Sequence, residues 1–135
     1  MMKFLFCSFL FCMCISACKK EPMTSGMEST HLTIELNNCD EIDSVGESVA
    51  ICFTGVNDSR CPINANCVWQ GVAVAKFTFK NGTADHQLTL ATTKFPGFPS
   101  TDTVVSGYRI RLVNVTPYPG TATPEPTRAI LEVTR

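Results

Sequence analysis

Apolar and polar positions alternate along much of the chain beyond residue 30. Leu32, Ile34 and Leu36 are separated by polar neighbours, and Val49, Ile51 and Phe53 repeat the two-residue period. Such a period places every second side chain on one face of an extended segment, the pattern of a half-buried β-strand. A long β-prone run occupies 72–79, and Leu88 and Leu90 resume the alternation after Asn81-Gly82. That dipeptide tolerates positive φ and predicts a two-residue hairpin turn. Tyr108, Ile110 and Leu112 form another alternating set, and Ala129, Leu131 and Val133 the last. Between Val74 and Phe77 the apolar phase changes, which predicts a bulge in that strand. No segment carries a helical period. Pro/Gly-rich loops, Phe95-Pro96-Gly97-Phe98-Pro99 and Pro117-Tyr118-Pro119-Gly120, separate the later strands. The pattern predicts an all-β fold: a small antiparallel β-sandwich or barrel of about 6–7 strands.

The first thirty residues read differently. Lys3 is followed by an apolar tract from Phe4 to Cys14, then by Ile15-Ser16-Ala17-Cys18 and the charged Lys19-Lys20-Glu21. Crossing a hydrocarbon core of roughly 30 Å takes about 20 apolar residues, more than lie between Lys3 and Cys18. A charged start, a short apolar middle and small residues before a cut describe an export signal. Ile15-Ser16-Ala17-Cys18 resembles the lipobox of bacterial lipoproteins. The resemblance implies removal of residues 1–17, a diacylglyceryl thioether on Cys18 and lipid attachment to a membrane of the cell envelope. Lys19 stands where an aspartate would favour inner-membrane retention, which points to the outer membrane. Residues 18–30 then hold the lipidated cysteine and a polar, flexible tether, and 31–135 the β-domain.

Composition narrows the partners. The 135 residues are 44% hydrophobic and 17% charged with a net charge of -1, suiting one globular domain and lacking the basic surplus expected of a nucleic-acid binder. Eight cysteines fall into two sets: Cys7, Cys12, Cys14 and Cys18 at the N-terminus, and Cys39, Cys52, Cys61 and Cys67 in the domain. Export carries the second set into an oxidising space, where pairing is expected. Four cysteines allow three connectivities. The favoured one is Cys39–Cys52, across a hairpin, with Cys61–Cys67 closing a short loop. Metal binding is disfavoured, since no Cys-x-x-Cys pair occurs in the domain and His31 and His86 lack neighbours at ligand spacing. No cofactor motif is present.

The most distinctive stretch is Asp58-Ser59-Arg60-Cys61-Pro62, then Cys67-Val68-Trp69-Gln70-Gly71. It resembles a pattern in small uncharacterised exported proteins, many of them lipoproteins of Bacteroidetes type, as does Gly107-Tyr108-Arg109-Ile110-Arg111-Leu112 followed by Pro117-Tyr118-Pro119. The resemblance spans roughly 32–134. It implies the fold, the compartment and the Cys61–Cys67 bridge, and no activity. Read physically, Asp58 and Ser59 make a turn, Arg60 pairs with Asp58 or bonds loop carbonyls, Trp69 covers the disulfide and Gly71 allows a close backbone approach.

Functionally, Asp58, Arg60 and Trp69 form the candidate binding surface, because Arg and Trp dominate interface energetics. The leading expectation is a non-enzymatic binding or assembly module with a protein partner in the envelope, the stapled loop and the Pro117–Pro126 loop being its contacts. A second is a protease inhibitor offering Arg60 to a trypsin-like enzyme. An enzyme using the carboxylates of Asp40, Glu41 and Asp43 is the weakest, because no histidine or phosphate loop accompanies them. Asp43-Ser44-Val45 and Asp102-Thr103-Val104 resemble O-glycosylation sites of Bacteroidetes exported proteins.

Overall fold

The structure, a computed structural model, describes residues 29–42 and 48–135. The expected export signal, Cys18, residues 19–28 of the expected tether and Asp43-Ser44-Val45 lie outside the described residues. Eight strands are formed and no helix among those residues: β1 Ser29–Glu35, β2 Cys39–Ile42, β3 Val49–Asp58, β4 Ala73–Asn81, β5 Ala84–Ala91, β6 Asp102–Val105, β7 Tyr108–Thr116 and β8 Arg128–Thr134. They build two four-stranded sheets, in the orders β1-β8-β7-β6 and β2-β3-β4-β5, every pair antiparallel. Consecutive strands pair except where the chain changes sheets, between β1 and β2 and between β5 and β6, and β8 closes against β1. The architecture is the expected all-β one, as a sandwich.

Alternation explains the core. The inward positions of β4 (Ala73, Ala75, Phe77, Phe79) and of β7 (Tyr108, Ile110, Leu112) are almost entirely buried, and most of their outward neighbours are polar or half-buried. Phe53 stacks on Phe77 at 5.3 Å, and Phe79 meets Tyr108 at 5.7 Å between the sheets. Each such side chain contributes about 1.5–3 kcal/mol on full burial.

Four sequence expectations shift. Two additional strands, β2 and β6, are four residues each and lie at sheet edges. The first strand begins at Ser29 rather than after Thr30, because Ser29 and Thr30 pair with Thr134 and Val133. The β4–β5 turn is Gly82-Thr83, with Asn81 still paired to Ala84 and only Gly82 at positive φ. Glycine at the first central position is the signature of a type II′ turn. The bulge lies on the partner strand, where the register slips between Phe53 and Gly55, while the inward set of β4 keeps one phase. A second slip, between Leu112 and Asn114, interrupts β7.

Antiparallel order sorts the connections by end. The tight turns Gly82-Thr83 and Ser106-Gly107 share one end with Ser29 and Arg135. The long loops 59–72, 92–101 and 117–127 all lie at the other.

Candidate functional site: the loop end of the sandwich

Asp58 closes β3, and its carboxylate organises the start of the next loop. Oδ1 accepts the Arg60 backbone N–H at 3.1 Å and the Arg60 Nε–H at 2.9 Å, while Oδ2 accepts Nη2–H at 2.6 Å. The guanidinium reaches the other sheet as well: Nη1 donates to Asn114 Oδ1 at 3.0 Å and Nη2 to the Pro117 carbonyl at 3.4 Å. Its Cζ sits 4.4 Å from the centre of the Tyr118 ring. Arg60 is thus a rivet between the end of β3 and the end of β7. A planar fork with five donors suits that role and an ammonium does not.

The pairing of Arg60 with Asp58 matches the sequence reading; its role as a surface contact does not. Arg60 is 7% exposed. A side chain held on Asp58, Asn114, Pro117 and Tyr118 is not on offer to a trypsin-like enzyme, so the inhibitor reading loses its reactive residue.

Beyond β3 the loop continues as a hairpin. The Ser59 N–H and hydroxyl both donate to the Val72 carbonyl, at 3.0 and 2.8 Å, and the Cys61 N–H donates to the Gln70 carbonyl at 2.8 Å. Gly71 makes that closure possible, since at φ 71° a Cβ would lie 1.9 Å from the Ser59 carbonyl oxygen. Both disulfides have the favoured pairing. Cys39–Cys52 joins directly opposed residues of β2 and β3, and Cys61–Cys67 closes the short loop 62–66. That loop rests on 117–127: the Ile63 N–H donates to the Pro119 carbonyl at 3.0 Å, and Gly120 packs on Asn64 and Pro62.

Trp69 is 44% exposed. It meets a different loop: its ring lies 5.3 Å from Phe95 and 5.9 Å from Phe98, which are themselves 6.0 Å apart. The three rings hold loop 59–72 to loop 92–101. Phe95, Phe98 and Asn114 were absent from the sequence-derived site, and Tyr118 entered it only as part of the Pro117–Pro126 loop. Phe95, Phe98 and Tyr118 had one visible signal, being large aromatics inside Pro/Gly-rich loops.

The other candidates are dispersed. Asp40 and Glu41 are successive strand residues and so face opposite sides of β2, which does not make a carboxylate pair. His31 is exposed and opposes Glu132 in register, and His86 is exposed on β5. Thr103 is opposite the buried Ile110 and half-buried, a poor position for a sugar, and Asp102 pairs with Arg109 at 2.6 Å.

Comparison with known proteins returns nothing: no family model, curated protein or solved structure matches the chain.

Proposed function

We propose that this chain is an envelope lipoprotein, anchored by lipid on Cys18 at the outer membrane, whose β-sandwich is a non-enzymatic contact module. The anchor is supported by the lipobox resemblance of Ile15-Ser16-Ala17-Cys18 behind a short apolar tract. The Asp58-Ser59-Arg60-Cys61-Pro62 resemblance to Bacteroidetes-type lipoproteins fits the same compartment. One observation carries the contact reading: Trp69, Phe95 and Phe98 gather, partly exposed, at the end of the sandwich opposite Ser29. On a tethered domain, that end faces away from the point where the tether arrives. Loops braced on a rigid scaffold are where binding residues concentrate.

Arg60 is the bolt beneath this surface and Trp69 is its exposed part. Two measurements test the proposal. Radiolabelled palmitate should enter the wild-type chain and not Cys18→Ala; labelling of the variant would refute the anchor. Material co-purified from the envelope should be lost with the double variant Trp69→Ser, Phe98→Ser while the variant still unfolds cooperatively and keeps both disulfides. A correctly folded double variant that keeps every bound component would refute the contact surface.

A further inference from the structure

Among the described residues, six of the eight exposed large hydrophobic side chains lie in the loops of one end: Ile63, Val68, Trp69, Phe95, Phe98 and Tyr118. Monomers seldom gather exposed apolar groups this way, and such a patch marks an interaction site. The loops are also fixed to one another through the Trp69–Phe95–Phe98 rings, the Arg60–Tyr118 contact and the Ile63–Pro119 hydrogen bond. A surface already rigid loses little conformational freedom when it is covered.

We infer that the covering surface is a second copy of this chain, the two loop ends meeting about a two-fold axis; this rests on the loop end being the contact surface. Charge is the first reason. Loops 59–72, 92–101 and 117–127 carry only Arg60, Lys94 and Glu125 as charged residues, and Arg60 is neutralised by Asp58. An anionic polymer, an acidic peptide or a charged headgroup meets no complementary field here. A second copy brings the same nearly uncharged surface, with one exposed group of each sign, Lys94 and Glu125, on different loops. Charge depletion with aromatic enrichment is the composition of an interface core.

Symmetry is the second reason. An isologous contact uses one patch twice, and two-fold dimers are the commonest closed assembly. A patch concentrated at the tip of a sandwich can be buried whole on its own copy. The third reason is placement. Ser29, Arg135 and the tight turns lie at the opposite end, so tip-to-tip contact leaves the tether's point of arrival unobstructed on both copies.

The test uses the full chain in its own envelope. Val68, 105% exposed, is replaced by the photo-crosslinker p-benzoylphenylalanine, and two differently tagged versions are expressed together. Illumination should give an adduct of twice the chain's mass carrying both tags. The same crosslinker at Thr83, in the turn at the other end, should give none, and Trp69→Ser with Phe98→Ser should abolish the Val68 adduct. An adduct of any other mass overturns the second copy and leaves the contact surface standing. Equal double-mass adducts from Val68 and Thr83 mean random collision and overturn the two-fold interface. No adduct at Val68, with oxidised protein present, overturns both.

Discussion

Replacing Arg60 by alanine should be among the most damaging single changes at the loop end. The Arg60 and Asp58 side chains are 5% and 21% exposed, and the pair is 2.6 Å apart. Removing one member of a buried pair costs about 3–5 kcal/mol, mainly because the remaining charge is left in a poor solvent. Asp58 keeps the Arg60 backbone N–H and some contact with water, which moves the expected loss down to about 2–4 kcal/mol. With a urea m-value near 1.5 kcal/mol/M, a loss of about 3 kcal/mol lowers the unfolding midpoint by about 2 M. Arg60→Lys should fall between, losing about 1–2 kcal/mol, since an ammonium keeps the charge and loses the fork and the reach to Asn114. Asn114→Ala removes one neutral acceptor and should cost about 1 kcal/mol. A double-mutant cycle on Asp58 and Arg60 should show a coupling above about 1 kcal/mol. The assay is equilibrium urea unfolding of the oxidised chain, followed by far-UV circular dichroism. A midpoint for Arg60→Ala within about 0.3 M of wild type, or an additive cycle, would refute the rivet.

Gly71→Ala should be worse than a glycine change elsewhere, because its Cβ would sit 1.9 Å from a backbone oxygen that cannot step aside; a loss of roughly 3 kcal/mol or more is expected, and a melting temperature matching wild type would contradict the geometry. Tyr108→Phe should be neutral or slightly stabilising in urea unfolding, since Tyr108 Oη is buried without a hydrogen-bond partner among the described residues and its removal relieves a desolvation penalty of about 1–3 kcal/mol. A large loss would mean that the hydroxyl is bonded. Intact mass without reductant should show no free thiol among Cys39, Cys52, Cys61 and Cys67, and peptide mapping should recover the two pairs; a Cys39–Cys61 or Cys39–Cys67 peptide would contradict the fold.

Alternation was enough to find the six longer strands, because each has one face on a single core. Strands β2 and β6 were invisible for the same reason: four residues give a period-two pattern almost no room, and each contributes little to the core. The Gly82-Thr83 turn was misplaced by one residue because Asn-Gly and Gly-Thr both supply a glycine with positive φ, and only pairing decides between them. Asp58 and Arg60 were legible as a local pair. Burial of Arg60 was not, since its other partners, Asn114, Pro117 and Tyr118, lie more than fifty positions away. Trp69 stood out by composition, yet its neighbours Phe95 and Phe98 belong to a loop that only the strand order brings alongside.

Trp69 is the chain's single tryptophan, so 5-fluorotryptophan labelling places one fluorine resonance in the middle of the proposed contact. In the purified protein in detergent, that resonance should shift or broaden when a detergent extract of the envelope in which the anchor is proposed is added or when the protein itself is concentrated. It should stop responding once Phe95 and Phe98 are both replaced by serine. A sharp resonance, unmoved by envelope extract and by protein concentration alike, would contradict the assignment of the loop end as the surface through which this protein works.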